Sequence, residues 1–199
     1  MKYSKIMLKK SVAVIVFILG LFSTQIVKSQ IQFGVKGGLN VTDLNIYGPN
    51  VTSGIKAGID FNAGILANIQ VSESFFIQPE VVYSAQGGSV KDSSGTLKYD
   101  YINVPVLLQY HLSSGLFFES GPQLGFLLSS NYNTEHLNLN VKDQSKTTDF
   151  SWAFGVGYKF TGINLGLDLR YNLGITNTSL VNGFVVKNSV FQFGVFYLF

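Results

Sequence analysis

Cysteine is absent from this chain of 199 residues, and histidine and tryptophan are rare. Without cysteine, disulfide bonds and thiolate metal sites are excluded. The two histidines, His111 and His136, have no motif around them that would bring a serine and an acidic residue together for hydrolysis. The aspartates of the loop regions also lack the spacing of a calcium-binding loop. We therefore expect no enzyme, no metal and no cofactor.

Long apolar runs are also missing, except at the amino terminus. There an apolar run at 12–22 follows a segment with four lysines and precedes a small residue, Ser29. This order is typical of a secretory signal peptide, and the run is shorter than the ~20 residues that a spanning helix needs. We predict that residues 1–29 are a signal peptide cleaved near Ser29-Gln30, and that residues 30–199 form one domain.

A basic character is lacking once this segment is removed. The whole chain has 14 Lys+Arg and 11 Asp+Glu, but residues 1–29 hold five of the basic residues and none of the acidic ones. The remaining chain therefore has nine basic and 11 acidic residues, a net charge of −2. No basic cluster survives, which argues against nucleic acid as a partner and against a basic patch for anionic lipid.

What the chain does contain is an alternation with period two. It is clearest at 163–175, where the odd positions are apolar and the even positions are polar or glycine. Successive side chains of a strand point to opposite faces, so each such segment has one apolar and one polar face. Eight segments show the pattern: 31–41, 54–70, 75–85, 97–112, 116–128, 150–160, 163–175 and 186–199.

The connections between these segments alternate in length. Three are short, at 71–74, 113–115 and 161–162, whereas four are long and polar, at about 42–53, 86–96, 129–149 and 176–185. Short periplasmic turns and long external loops are typical of outer-membrane barrels. The sequence therefore predicts an all-β fold: an eight-stranded antiparallel up-and-down transmembrane β-barrel in the cell outer membrane. Pro79 and Pro105 fall inside two strands, where we expect a bulge or a shorter strand.

Charged residues of both signs lie on the polar face of these strands. The interior of an eight-stranded barrel is only wide enough to be filled by side chains, and opposite charges that pair there avoid the cost of burying each alone. We predict a charge network inside the barrel, with room provided by glycines of the same face. An ion or proton path is the alternative interpretation. The predicted network consists of Lys36, Lys56, Lys159, Arg170, Asp60, Glu80, Glu119 and Asp168.

The last predicted strand has an aromatic outer face that ends at the carboxyl terminus. Its outward residues are Phe191, Phe193, Val195, Tyr197 and Phe199. Outward aromatics that end on a terminal phenylalanine resemble the signal recognised by the outer-membrane assembly machinery. We therefore predict two partners from this pattern, that machinery and the outer-membrane lipids.

Five short motifs occur in order along the chain: GVKGGLN at 34–40, FIQPE at 76–80, YINVPV at 101–106, ESGPQLG at 119–125 and DLRYNLG at 168–174. Together they resemble the PorT-like family of outer-membrane β-barrels from Bacteroidota. The resemblance covers 30–199 and implies a porin-like barrel in a Gram-negative outer membrane. Because the family is named after a protein involved in secretion, the resemblance also raises a secretion-associated role as a hypothesis.

The longest predicted loop, 129–149, contains a further alternation at 137–141. This pattern predicts either a solvated hairpin above the membrane or a strand edge open to a protein partner. Our favoured hypothesis is a monomeric barrel with a structural, surface-interaction or secretion-associated role carried by such extracellular loops. The alternatives are an exported soluble lipocalin-like carrier with its apolar face inside, and an outer-membrane lipid-modifying enzyme that uses His111 or His136.

Overall fold

The computed structural model describes residues 30–47, 55–90, 95–134, 138–180, 183 and 185–199. The predicted signal peptide at 1–29 lies outside these residues. The described chain forms strands and one short 3-10 helix, Lys142–Gln144. The strands are β1 (Ile31–Tyr47), β2 (Ile55–Gln70), β3 (Phe75–Val90), β4 (Thr96–His111), β5 (Leu116–Asn133), β6 (Asn138–Asn140), β7 (Thr148–Lys159), β8 (Leu165–Gly174) and β9 (Val185–Leu198).

Eight long antiparallel strands close into a barrel. Each long strand pairs with the next one along the chain, and β9 returns to pair with β1, for example at Leu39 and Phe193. The short strand β6 pairs with the extracellular end of β5, beyond the part of β5 that pairs with β7, and is not one of the eight barrel strands. The predicted eight-stranded antiparallel barrel is therefore confirmed. Closure satisfies backbone hydrogen bonds without leaving a sheet edge in the membrane.

The apolar face of the strands points outward. Phe33, Ile59 and Ile65 are more than 60% exposed, whereas Lys36 and Glu80 are buried in the lumen. This arrangement is the reverse of a soluble protein's and suits a hydrocarbon solvent. It does not favour the soluble-carrier alternative, which requires the apolar face inside. No helix in the described residues combines the length and the hydropathy needed to cross a membrane.

The strands continue further on the extracellular side than the alternation predicted. Strand β1 ends at Tyr47, β3 at Val90 and β5 at Asn133, so the predicted loops at 42–53, 86–96 and 129–149 were drawn too long. Hydrophobic alternation reports only the part of a strand that faces lipid, and backbone pairing does not stop there. Close to the ends of the predicted segments 75–85 and 116–128, the outward carboxylate of Asp100 accepts hydrogen bonds from Tyr83 and Ser129.

The two prolines interrupt strand pairing only locally. Pro79 is the partner of Val106, and Pro105 is the partner of Gln123, within strands that run on through both residues. The β3–β4 ladder skips the pairs between Pro79 and Val82, where Pro105 has no N–H to donate. The register shifts lie elsewhere, one of them at Asp100/Tyr101. We had expected a bulge or a shorter strand at each proline. The described strands instead run through Pro79 and Pro105 without a register shift at either residue.

Candidate functional site

Arg170 on β8 lies at the centre of the lumen and connects three strands. Its Nη1 and Nη2 donate to the two carboxylate oxygens of Glu80 on β3 at 3.0 and 2.9 Å. Its Nε donates to Oε1 of Glu119 on β5 at 2.8 Å. All three side chains are almost completely buried. The planar guanidinium fork suits this geometry, since it can bind one carboxylate with two parallel bonds and a second through Nε.

Lys36 on β1 extends the network to a third carboxylate. Its Nζ lies 3.5 Å from Glu80 Oε2 and 3.4 Å from both carboxylate oxygens of Asp168 on β8. Arg170 Nη2 is 4.0 Å from the same aspartate. Five of the eight predicted charges are thus brought together, as two cations and three carboxylates. Among the described residues, carboxylates outnumber cations in this network by one.

The other three predicted charges lie apart from this network. Lys159 is half-buried near the periplasmic end of β7 and donates to Gln32 Oε1 at 3.1 Å. Asp60 is half-buried on β2. Within the described residues, neither takes part in an ion pair. The side chain of Lys56 falls outside the described part of the structure.

Amide side chains complete the hydrogen bonding of the carboxylates. Gln78 donates to Glu80 Oε1 at 2.8 Å, and Gln109 donates to Glu119 Oε2 at 3.0 Å. Asn68 in turn donates to the carbonyl oxygens of both glutamines, at 2.9 and 3.0 Å. A buried ion pair is tolerated only when its remaining acceptors are also satisfied, and these three amides meet that condition for Glu80 and Glu119.

An apolar cluster closes the lumen on the periplasmic side of the charges. It consists of four buried residues, Leu66, Phe117, Phe196 and Leu198. The rings of Phe117 and Phe196 meet edge to face with centroids 6.0 Å apart. These residues lie on the inward face of their strands, where Leu66 is an apolar exception on the polar face of β2. The signal for the other three was the same, an apolar residue at a polar position of the alternation.

Neutral amides fill the lumen on the extracellular side of the charges. Asn40 is the centre of this layer: its Nδ2 donates to Ser84 Oγ at 2.9 Å and to the Ala85 carbonyl at 2.7 Å. Its Oδ1 accepts from Asn62 at 2.8 Å and from Gln192 at 3.0 Å. The described lumen therefore contains an apolar layer, a charged layer and an amide layer, and side chains fill all three.

Glycines make room for this packing. A Cβ added to Gly155 would lie 2.6 Å from Glu119 Oε1, and one added to Gly194 would lie 2.5 Å from Asp168 Oδ2. A Cβ at Gly157 would meet the ring of Phe117, and one at Gly166 would meet the ring of Phe196. The glycines of the polar face thus lie beside bulky residues of both the charged and the apolar layer, whereas the sequence suggested this role only for the charged residues.

Substitution of Gly155 by alanine is expected to destabilise the barrel by about 1–3 kcal/mol, the usual cost of overpacking. The new methyl group would press on Glu119 and on the Leu169 carbonyl, which is 3.0 Å from its ideal position. Gly37→Ala is the matched control, because a Cβ there has only the Asn62 carbonyl within 4 Å, at 3.7 Å. Urea unfolding in detergent measures both. Equal stability of the two variants would contradict the tight packing around Glu119.

The histidines and the terminal strand can now be placed. His111 lies at the periplasmic end of β4, where its ring is stacked on Phe117 at 4.9 Å and its Nε2 is 2.9 Å from Gln109 Oε1. These contacts suit packing rather than catalysis. His136 lies outside the described residues. In the described residues, no three His, Asp or Glu side chains are arranged so that they could hold a metal ion. The predicted assembly residues Phe191, Phe193, Val195, Tyr197 and Phe199 are all exposed on the outer side of the barrel.

The extracellular end combines an extended sheet with two connected loops. Strands β4, β5 and β6 pair side by side above the apolar band, with Lys98 beside Asn131 and Asn131 beside Asn140. The segment after β6 is connected to the β8–β9 connection by the bridge between Ser145 and Ser179 and by a backbone hydrogen bond from Lys146 to Thr178 at 2.8 Å.

A closed barrel of eight strands, apolar outside and polar inside, defines an integral outer-membrane β-barrel protein. The chain belongs to the family described as "Outer membrane protein beta-barrel domain", whose model matches residues 23–180. The protein is therefore located in the outer membrane, and its exposed apolar face contacts membrane lipids.

The solved structure of Neisserial surface protein A supports the same fold. Neisserial surface protein A is 18% identical, with a TM-score of 0.59, and the match covers 84% of this chain and 97% of that one. Ail of Yersinia pestis, crystallised with the heparin analogue sucrose octasulfate, is 14% identical with a TM-score of 0.48, and 85% and 99% of the two chains are covered. The N-terminal β-barrel domain of Pseudomonas aeruginosa OprF is 13% identical with a TM-score of 0.39, covering 85% and 100%. No curated protein matches the chain.

Proposed function

We propose that this protein is a closed, monomeric outer-membrane barrel that acts by binding a polypeptide at its extracellular end, without conducting ions and without chemistry. The observation that carries the proposal is the filled lumen. An ion on its way through the barrel would have to displace Arg170 from Glu80 and Glu119 and then part the rings of Phe117 and Phe196. A lumen packed in this way supports a rigid scaffold, and binding surfaces usually lie on the loops of such scaffolds.

The extracellular end offers a surface of the required kind. Strands β4 and β5 carry their pairing up to Thr96 and Asn133, and β6 adds a third strand there. Exposed apolar side chains, Leu139 on β6 and Leu180 in the β8–β9 connection, occur at this end. Ordered backbone with exposed apolar groups lowers the entropy cost of binding, because little has to be fixed when a partner arrives.

A conductance measurement tests the closed lumen. The mature chain, refolded into planar lipid bilayers, is expected to give no step-like conductance under an applied voltage. The physical reason is that each of the three packed layers excludes a continuous column of water. A steady open channel in the unaltered protein would contradict a closed scaffold and would favour the ion path that we considered from the sequence.

Photo-crosslinking in cells tests where a partner binds. A photoreactive residue is placed either at Leu180, which is 55% exposed at the extracellular end, or at Ile163, which is 58% exposed in the periplasmic turn between β7 and β8. Defined adducts with one polypeptide are expected from position 180 and not from position 163. Adducts from position 163 alone would place the functional surface in the periplasm instead.

A secretion-associated role is the second candidate, because five motifs of the chain resemble the PorT-like family. A gene deletion separates the two roles. Under our proposal, the secreted and periplasmic protein profiles of the deletion strain match those of the parent strain. Cargo that accumulates in the periplasm of the deletion strain would favour the secretion-associated role and overturn surface binding as the main function.

The outward face of β9 carries a further proposal, that it is the signal read by the assembly machinery. It is supported by the position of this strand at the closing seam, where β9 pairs with both β1 and β8. Its outward residues are exposed to the membrane and are therefore accessible from outside the barrel.

A further inference from the structure

One edge of the strand β6 is unpaired in the described part of the structure. In the described residues β6 pairs only with β5, and all three of its residues are exposed. The backbone N–H of Val141 donates to the Ser130 carbonyl at 3.0 Å, so Val141 and Ser130 are a hydrogen-bonded pair of the antiparallel ladder. Hydrogen-bonded and non-hydrogen-bonded pairs alternate from there along β6. Leu139 then exchanges hydrogen bonds with Tyr132, whereas the N–H and C=O groups of Asn138 and Asn140 point away from β5. These groups are the unsatisfied donors and acceptors of a sheet edge.

An apolar row crosses the sheet and stops at this edge. Leu97 on β4 is the partner of Tyr132 on β5, and Tyr132 is the partner of Leu139 on β6. Cross-strand partners lie on the same face, so the three side chains form one continuous row. Leu139, the last member, remains 45% exposed. On the opposite face the corresponding row is polar, from Lys98 through Asn131 to Asn140.

We infer that β6 is a docking edge for an extended segment of another polypeptide, which adds a strand to the sheet and places an apolar residue beside Leu139. The inference rests on the proposed extracellular binding role and names its mode. Backbone groups of Asn138 and Asn140 would supply the hydrogen bonds, and Leu139 would supply the apolar contact. Residues 141–146, directly after β6, carry Lys142 and Lys146 against Asp143, a local net charge of +1 that acidic residues of the partner complement.

A second copy of this chain does not fit the edge. Two barrels in one membrane are related by an axis along the membrane normal, which cannot turn one β6 strand antiparallel to the other. Such a contact would also bring the two sets of Lys142 and Lys146 together, and lysines near a sheet edge oppose self-association. The partner is therefore a different polypeptide with an extended, acidic segment.

A synthetic peptide tests this mode without the natural partner. The probe is a peptide of about six residues, the length of a typical strand, with alternating valine and threonine and a glutamate at each end. It is added to the folded, full-length mature protein in detergent, and amide hydrogen exchange of residues 138–140 is followed by NMR. We expect the amides of Asn138 and Asn140 to exchange about tenfold more slowly once the peptide is bound, because the added strand protects them.

Three variants separate strand addition from nonspecific adhesion. Asn138→Pro removes an N–H that faces the free edge, at the first residue of the strand where proline is tolerated, and should weaken peptide binding by about fivefold. Leu139→Asp should weaken binding by a similar factor, about fivefold. Ile163→Asp is the matched control, since Ile163 is also an exposed apolar residue but lies in the periplasmic turn between β7 and β8, and it should leave binding unchanged.

The same peptide with N-methylated backbone amides should not bind. Unchanged exchange at Asn138 and Asn140, equal binding of the N-methylated peptide, or equal weakening by Ile163→Asp would each overturn the docking edge. None of these results bears on the crosslinking from position 180, so the wider extracellular role keeps its own test. If the crosslink from position 180 is not found but the peptide binds as expected, β6 can accept an added strand, and the proposed extracellular binding role in cells is wrong.

Discussion

The Arg170→Met variant is expected to lose about 3–5 kcal/mol of unfolding free energy, the usual result of removing one partner from a buried ion pair. Without the guanidinium, Glu80 and Glu119 lose three hydrogen bonds, and Lys36 is the only described cation left within 4 Å of Glu80. Methionine fills much of the same volume, so the loss reports charge rather than a cavity. Urea titration in detergent, followed by the fluorescence of the single tryptophan, Trp152, measures it.

Two further variants show whether the loss comes from the uncompensated carboxylates. Lys159→Met removes a half-buried cation whose one described side-chain partner is Gln32, and it should cost less than about 1 kcal/mol. Combining Arg170→Met with Glu80→Gln and Glu119→Gln should recover part of the lost stability, since neutral groups remove the buried charge. Full stability of the single variant Arg170→Met would mean that the charge network does not hold the three strands together.

The membrane part of the fold was readable from the sequence because one physical rule governs every strand. Lipid outside and a narrow polar lumen inside impose a strict alternation, and segments such as 163–175 show it without exception. The sequence also showed that Leu66 points into the barrel, but it did not show why an apolar residue lies there. An apolar residue on an inward position signals a buried apolar layer only when others, here Phe117 and Phe196, are seen to meet it across the lumen.

The pairing partners inside the lumen could not be predicted in the same way. Alternation shows that Lys36 and Asp168 both point inward, but β9 lies between their strands. Which inward residues share a level depends on the stagger of the strands around the whole barrel, and register shifts such as that at Asp100/Tyr101 alter it. Of the eight charges in the predicted network, five come together in the described structure, and the side chain of Lys56 lies outside it.

The extracellular ends of the strands were not predicted from the alternation, for a related reason. Above the membrane, water can solvate both faces of a sheet, so the sequence there carries no consistent pattern. The hairpin of β5 and β6 was predicted only because 137–141 keeps an alternation of its own. Where the environment on the two sides is the same, register is weakly specified by side chains, and strand ends are poorly predicted.

The orientation of the strands leads to a second large effect. Leu169 is the middle outward residue of β8, lies beside Val156 and Phe193, and is 41% exposed on the lipid face. Leu169→Arg is expected to cost about 2–4 kcal/mol, the cost of a basic side chain at the bilayer midplane. The folded fraction in lipid vesicles, measured as the band that shifts on heating before electrophoresis, should fall accordingly.

Ile163→Arg is the matched control, because the substitution is of the same kind but lies in the periplasmic turn before β8. Ile163 is 58% exposed there, and an arginine can reach water, so the change should stay within about 0.5 kcal/mol. Asn164 is a poorer control, since its φ of 53° adds backbone strain of its own to any substitution. If Leu169→Arg and Ile163→Arg folded equally well, the outer face of β8 would have to be in contact with water, and the assignment of the apolar face to lipid would fail.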